Sequence, residues 1–176
     1  TLFPYTTLFR SGSVTDTAMA MSVSTSGMTS HGFDVKLSTG GALAIEQAVT
    51  LGAGDLTLNA TGDVSQTATG GITAAGLQIL GSGTVRLDSA TNDVTTLSSS
   101  HTGSISYTDA NSLTVGSVTD TAAAVSVSTS GITSNGFDVK LSTGGALALE
   151  QAVTLGAGDL TLNATGDVSQ TATGGI

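Results

Sequence analysis

The feature that most constrains the fold is a long internal duplication. Residues 12–72 return as residues 116–176 at an offset of 104 positions, with five differences among sixty-one aligned residues. The differing pairs are Met19/Ala123, Met21/Val125, Met28/Ile132, His31/Asn135 and Ile45/Leu149. Four of the five swaps keep an apolar residue, which indicates a shared packing role at each of those positions. A chain of tandem units is expected to fold as stacked modules, each packed on its neighbours.

A shorter period of about 21 residues runs inside the 104-residue unit. It emerges when short segments that are apolar at positions i and i+2, as in a half-buried strand, are aligned. Three columns result. The first contains Val35, Leu56, Leu77, Leu97, Val118 and Val139; the second contains Leu43, Val64, Val85, Ile105, Val125 and Leu147; the third contains Val49, Ile72, Val94, Leu113, Ile132 and Val153. Each column crosses the unit in five steps, which predicts five coils per unit.

Glycine-rich turns separate the three strand segments of each coil, as at residues 39–41, 52–54, 70–71 and 81–83. Glycine supplies the positive φ angles that tight corners need. Alternation would send Val35 and Leu37 inward and leave Lys36 on the outer wall. The pattern predicts an all-β fold, a right-handed parallel β-helix (β-solenoid) with about 21 residues and three short strands per coil. Residues 12–176 would form about eight coils by this period.

The opening segment, TLFPYTTLFRS at residues 1–11, does not share this pattern. It holds the only proline and three of the six aromatic residues. It resembles, over all eleven positions, the in-frame translation of an adapter oligonucleotide used in sequencing libraries, and it lacks the apolar stretch and cleavage site of a signal peptide. We therefore expect residues 1–11 to be an adapter-derived artefact. The solenoid repeats would then occupy residues 12–115 as one unit and residues 116–176 as a partial second copy of a longer parent.

Charge and composition exclude several classes of partner. Beyond residue 11 the cations Lys36, Arg86 and Lys140 stand against thirteen carboxylates, a net charge of minus ten. Three scattered cations cannot form the basic stripe that nucleic acid requires. No apolar run is long enough to span a bilayer, so we expect no transmembrane segment. Cysteine is absent, which excludes disulfides and thiolate metal sites.

Four aspartates each precede an equivalent strand, and the members of each pair are one coil apart. These candidate metal ligands are Asp34, Asp55, Asp138 and Asp159. A stacked pair could hold Ca²⁺. Calcium-binding solenoids, however, carry a GGxGxD repeat that does not occur in this sequence. The pattern favours turn-forming aspartates, and we predict no metal and no cofactor.

The residue types of a catalytic triad are present but scattered. His31 and His101 could be combined with serine and aspartate on paper, yet His31 is replaced by Asn135 in the second copy. Glycan cleavage would need clustered carboxylates on one wall, and the candidate walls carry few. We predict no catalytic residue and no enzymatic activity.

Three further features concern surface chemistry. The triplets that begin at Asn59 and Asn163 match the N-glycosylation pattern, although ordinary turns are the favoured explanation. Thr57 and Thr161 suggest an ice-facing ladder, but the residue at that position varies from coil to coil. Stacking platforms for a carbohydrate could come only from Phe33, Tyr107 and Phe137, and the first and last of these are expected to pack at corners.

The repeat text resembles that of filamentous-haemagglutinin-like, two-partner-secretion exoproteins of Gram-negative bacteria. The resemblance rests on GDLTLNATGDVSQTATGGITAAGLQILGSGTVRLDSATNDVTTL and on TGSISYTDANSLTVGSV, and it covers residues 12–176. It implies a long β-helical stalk on the cell surface or secreted. It also implies an outer-membrane transporter that is engaged through a region outside this chain.

Two functions follow from these expectations. The first is a structural and adhesive stalk segment of a large secreted adhesin, which binds host or neighbouring-cell surface molecules through many weak contacts. The alternative is a carbohydrate-binding or polysaccharide-processing β-helix.

Overall fold

The computed structural model describes residues 12–16, 20–23, 27–122 and 125–176. The expected artefact at residues 1–11 lies outside the described residues, as do Met19 and Ala123. The described residues are all-β and form no helix. Their strands stack as a β-solenoid of about 7 turns with about 21 residues per turn, which confirms the fold class expected from the repeat pattern.

The described chain contains twenty-one strands. They are β1 Gly12–Asp16, β2 Ala20–Val23, β3 Met28–Thr29, β4 Val35–Thr39, β5 Ala42–Ile45, β6 Val49–Thr50, β7 Leu56–Ala60, β8 Val64–Gln66, β9 Ile72–Ser82, β10 Val85–Leu87, β11 Asp93–Thr102, β12 Ile105–Asp109, β13 Leu113–Val115, β14 Ser117–Asp120, β15 Val127–Ser130, β16 Ile132–Thr133, β17 Val139–Thr143, β18 Leu147–Leu149, β19 Val153–Thr154, β20 Leu160–Ala164 and β21 Val168–Gln170.

Parallel pairing between successive coils builds the walls. In wall A, formed by β4, β7 and the second halves of β9 and β11, the column Val35, Leu56, Leu77 and Leu97 lies side by side. In wall B, formed by β5, β8, β10, β12, β17 and β20, the column begins Leu43, Val64, Val85 and Ile105. These parts of the first two predicted columns are confirmed.

A third wall, wall C, contains β3, β6 and the first halves of β9 and β11. Here Met28, Val49 and Ile72 lie side by side. β9 and β11 run from wall C into wall A as single strands, because residues 74–76 and 94–96 lack the Gly-Ala-Gly turn found at residues 52–54. The prediction of three separate strands per coil therefore holds where a glycine-rich corner is present.

The interior is filled by the inward residues of all three walls. In β4, Val35, Leu37 and Thr39 are buried while Lys36 and Ser38 are half-exposed, as period-two alternation requires. Large side chains such as Leu58 and Ile79 are fully buried in the same core. Stacked coils thus share one continuous apolar column, and each coil buries the face of its neighbour.

The second copy begins with an antiparallel hairpin. β14 and β15 pair so that Ser117 lies opposite Ser130, and we call residues 117–130 the hairpin. The matching text of the first copy instead forms β1 and β2, which pair in parallel with β4 and β5. Because the hairpin leaves the stack, the chain that passes Ile105 on wall B returns to that wall at Val139, 34 residues later.

The predicted columns are wrong where this excursion displaces the chain. Leu113 pairs with Leu147, Val118 lies in the hairpin, Val125 is exposed, Ile132 lies beside Ser99 and Val139 lies beside Ile105. Ahead of the excursion, Val94 is also misplaced, because it pairs with Ala74 and not with Ile72. The last step of the third column, Ile132 with Val153, is confirmed. Two strand segments have left the stack, so every later segment shifts to a different wall. The same shift explains why the stack has about 7 turns rather than the predicted eight.

Candidate functional site

The outer surface of wall A is covered by the hairpin. Lys36, Thr57 and Gln78 are lateral neighbours on this surface. Val118 of the hairpin is only 2% exposed. A Cβ added at Gly76 would lie 2.8 Å from the Val118 Cγ1 atom, so the absence of a side chain at Gly76 makes room for the hairpin.

Gln78 holds both strands of the hairpin. Its Nε2 atom donates to the Val118 and Val127 carbonyl oxygens at 3.3 and 3.0 Å and to the Thr129 hydroxyl at 2.8 Å. Its Oε1 atom accepts a hydrogen bond of 3.1 Å from the Thr57 hydroxyl. Gln78 points outward from wall A and is nevertheless fully buried, and both polar atoms of its side-chain amide have hydrogen-bond partners.

An ion pair fastens the end of β14 to the same wall. Lys36 Nζ lies 2.7 Å from Asp120 Oδ2, and the Asp120 side chain has no exposed surface. The second Asp120 oxygen accepts from the Ala122 amide at 3.0 Å. The Thr121 hydroxyl donates to the Asp34 carboxylate. Such charge-assisted bonds are stronger than neutral ones, and the carboxylate of Asp120 is shielded from water.

The outer surface of wall B carries an open groove of about 510 Å³. Arg86, Ser106 and Lys140 lie side by side along it, and the Ser106 hydroxyl donates to Asp88 at 2.6 Å. Among the described residues neither Arg86 nor Lys140 forms an ion pair. Both cations therefore face solvent with donors available for an external ligand.

The four aspartates of the metal hypothesis pair along the solenoid axis. The Asp55 amide donates to Asp34 Oδ1 at 2.8 Å, and the Asp159 amide donates to Asp138 Oδ1 at 2.9 Å. Each carboxylate thus caps the start of the strand in the next coil. Burial, followed by the charge of Asp34, raises the pKa of Asp55, while a hydrogen bond from Gly76 lowers it. Within the described residues no group of three or more carboxylate or imidazole side chains converges as a metal site would require.

The two histidines have separate structural settings. His31 is exposed and has φ of 55°, and Asn135 at the equivalent position has φ of 56°. His101 is buried at the end of wall A, and its Nε2 atom donates to the Gly83 carbonyl at 2.9 Å. Its Nδ1 atom has no partner among the described residues. The histidines are not brought together, and His31 serves a left-handed turn position that Asn and His tolerate.

The three aromatic residues that the structure describes do not form a stacking platform. Phe33 and Phe137 lie at corners as expected and are each 45% exposed. Tyr107 is fully buried, and its hydroxyl donates to Asp109 Oδ2 at 2.8 Å. Burial, followed by the charge of Asp109, raises the pKa of Tyr107 far above its ordinary range. Burial also raises the pKa of Asp109, although amide hydrogen bonds from Val94 and Asn111 oppose it.

A buried asparagine links the corner between walls B and C. Asn92 Oδ1 accepts from the Ile72 amide at 3.0 Å and from Gln66 Nε2 at 2.6 Å. Its Nδ2 atom donates to the Leu87 and Thr108 carbonyl oxygens, both at 3.0 Å. The side chain thus joins three successive coils where the backbone turns and ladder bonds are interrupted.

The remaining surface candidates lie in strands. Asn59 and Asn163 occupy equivalent positions in β7 and β20, not in turns as the alternative explanation of their triplets assumed. Thr57 lies on wall A and is buried beneath the hairpin, whereas Thr161 is exposed on wall B. The two threonines therefore share no flat ladder.

Residues 32–101 match the model of a family described as repeats of unknown function (DUF5649). The match runs from the corner before β4 into β11, the part of the chain in which successive coils stack without interruption. No curated protein and no solved structure matches the chain. In the described residues, no helix is long and apolar enough to cross a membrane. The chain is a repeat-containing β-solenoid, similar over these residues to that family.

Sequence reasoning missed the hairpin, Gln78 and Asn92. Gln78 sits where period-two alternation predicts an exposed residue, so its burial had no local signal. The left-handed turn at Asn135 did have a local sequence signal, since Asn135 is followed by Gly136 in a dipeptide typical of positive φ angles.

Proposed function

We propose that the chain is a structural and adhesive stalk segment of a large secreted surface adhesin of the filamentous-haemagglutinin type. The observation that carries the proposal is the parallel stacking of coils around one continuous apolar interior. In such a stack each coil buries its neighbour's face, so repetition of the unit extends the rod. Length and rigidity are the properties that a stalk needs.

The outer surface supports the adhesive part of the proposal. Outward positions on wall B carry small polar residues and exposed charges, such as Ser65, Arg86 and Lys140, and repetition of the unit would repeat them along the rod. A repeated polar surface can bind host or neighbouring-cell molecules through many weak contacts whose sum gives high avidity. The lack of cysteine suits a chain that crosses the periplasm of a Gram-negative bacterium unfolded, through an outer-membrane transporter engaged by another region.

Long-read sequencing of the uninterrupted parent gene tests this function. We expect many further 104-residue units behind a signal peptide and a haemagglutination-type secretion domain. The same read is expected to lack the TLFPYTTLFRS segment. A parent gene that encodes one short solenoid without a secretion domain would contradict the stalk.

The groove on wall B supports a second candidate, a carbohydrate-binding or polysaccharide-processing β-helix. Arg86 and Lys140 could donate to sugar hydroxyls, and Asp88 and Asp138 could accept from them. Glycan-array binding of the wild type is to be compared with a double variant, R86A with K140A. S65A, an exposed neighbour on the same wall outside the groove, is the matched control. Binding lost only in the double variant would favour this candidate.

A further inference from the structure

One short amino-acid sequence adopts two backbone arrangements within this chain. Ser13–Asp16 and Ser117–Asp120 have the identical sequence Ser-Val-Thr-Asp. In the first copy this text pairs in parallel with β4, with Thr15 beside Ser38. In the second copy it pairs antiparallel with β15, with Thr119 beside Ser128. The sequence of this strand therefore does not by itself select one arrangement, and the residues that follow it differ between the copies only at Met19/Ala123 and Met21/Val125 before Gly131.

The two copies resume the same local structure after the divergence. Gly27 and Gly131 both have positive φ, and the following amides of Met28 and Ile132 donate to the carbonyls of Ala48 and Ala152 at 2.8 and 2.9 Å. The difference is thus confined to the stretch before Gly131. Beyond it, the second copy keeps its coil geometry and changes only the wall on which each strand lies.

The contacts that select the hairpin come from another part of the chain. Lys36, Asp34 and Gln78 bind the hairpin from the outer surface of wall A. Without them Asp120 would be a buried carboxylate with no cationic partner, which is strongly unfavourable. The docked hairpin therefore depends on these contacts and not on its own turn alone.

We propose that residues 117–130 are a conformational device with two folded states, the docked hairpin and a parallel coil like that of the first copy. In the coil state Thr119 would lie beside Ser142, as Thr15 lies beside Ser38. In the hairpin state Ser142 lies beside Thr108. The choice between the states sets the wall of every later strand.

The device also controls the groove on wall B. In the hairpin state Lys140 lies beside Ser106 and completes the row with Arg86. In the coil state Lys140 would lie beside Ser117, by the register of Ser13 with Lys36, and would leave that row. Because the exchange requires new partners for all of residues 132–176, the state is selected when the chain folds.

Paired cysteines in this cysteine-free chain report each state. T108C with S142C forms a disulfide in the hairpin state, and T119C with S142C forms one in the coil state, because neighbouring parallel strands lie within disulfide reach. T15C with S38C, already adjacent in the first copy, is the positive control for the geometry. Each variant is unfolded, refolded and oxidised, and the disulfide yield is read by peptide mass spectrometry.

Removal of the docking ion pair should shift the choice. D120N and K36M are each expected to raise the T119C–S142C yield about tenfold or more and to lower the T108C–S142C yield. D167N, an exposed carboxylate of the second copy, should change neither. If T119C–S142C stays at its wild-type yield in both variants, whether the rest of the chain remains folded or the hairpin only frays, the second copy has no coil state and the proposal is wrong.

Discussion

Val35 and Val139 occupy the same position of the repeated unit, yet Val35 lies beside Gly12 on wall A and Val139 lies beside Ile105 on wall B. Their partners in the next coil, Leu56 and Leu160, are equivalent. The text around each is the same Val-Lys-Leu-Ser-Thr. The local structure of a coil therefore follows from the amino-acid sequence of that coil. The wall on which a strand lies depends on how many of the preceding strand segments pair within the solenoid.

Gln78→Ala should loosen the hairpin. The substitution removes three hydrogen bonds to β14 and β15 and leaves buried carbonyls without a donor, at a cost of about 1–3 kcal/mol in the free energy of unfolding. Hydrogen exchange should increase at residues 117–130 before other regions. The control is R86A on the exposed wall B, which should cost less than about 0.5 kcal/mol. Equal exchange in both variants would show that Gln78 does not hold the hairpin.

Asn92→Ala should destabilise the whole stack. Its side chain joins three coils, so its removal leaves the Ile72 amide and two carbonyl oxygens unpaired in the interior. We expect a loss of about 2–4 kcal/mol in urea unfolding. Asn163→Ala, at an exposed strand position, should be neutral within about 0.5 kcal/mol. A neutral Asn92→Ala would mean that the network contributes little.

Two carboxylates, the half-buried Asp55 and the buried Asp109, predict an unusual dependence of stability on pH. The pKa values of Asp55 and Asp109 in the folded chain are raised above 3.8, chiefly by burial. The folded chain then binds protons more tightly than the unfolded chain, so their contribution to stability is present at low pH and is lost as the pH rises through the raised values. Urea unfolding from about pH 7 to about pH 4 should show a gain in midpoint that the double variant D55N with D109N lacks. The exposed-site variant D167N should keep the gain, and a wild-type midpoint that falls on acidification as fast as the double variant's would contradict the assignment.

The turn at His31 requires a residue that accepts positive φ. His31→Asn should leave the melting temperature nearly unchanged, because Asn135 already occupies the equivalent position with φ of 56°. His31→Val should cost about 1–2 kcal/mol, since a β-branched residue is disfavoured in that region. Thr50→Val, in the extended strand β6, is the matched control and should cost less. Equal losses at both positions would contradict the conformational explanation.

The fold could be predicted from the sequence wherever local text decides it. The inward column from Val35 to Leu97 follows from period-two alternation and from glycine-rich corners, and both are visible in single coils. The position of Val139 could not be predicted in this way. It depends on long-range contacts such as Lys36 with Asp120, which join residues 84 positions apart.

The candidate sites divide in the same way. The pairing of Asp34 with Asp55 could be anticipated from their spacing of one coil, although the result is a strand cap. The groove on wall B could not, because Lys140 joins the row of Arg86 and Ser106 only after the hairpin has taken two strand segments out of the stack. The burial of Tyr107 did have a local signal, because Tyr107 stands two residues after the inward Ile105, and the platform hypothesis overlooked it.

Small-angle X-ray scattering of residues 12–176, with and without one additional tandem copy of residues 12–115, tests the stalk most directly. If coils stack end to end, the extra unit should lengthen the particle by about 20 Å, from four to five coils at about 4.8 Å each, with an unchanged cross-section. An increase in cross-section at constant length would show that the units pack side by side, and would contradict the stalk.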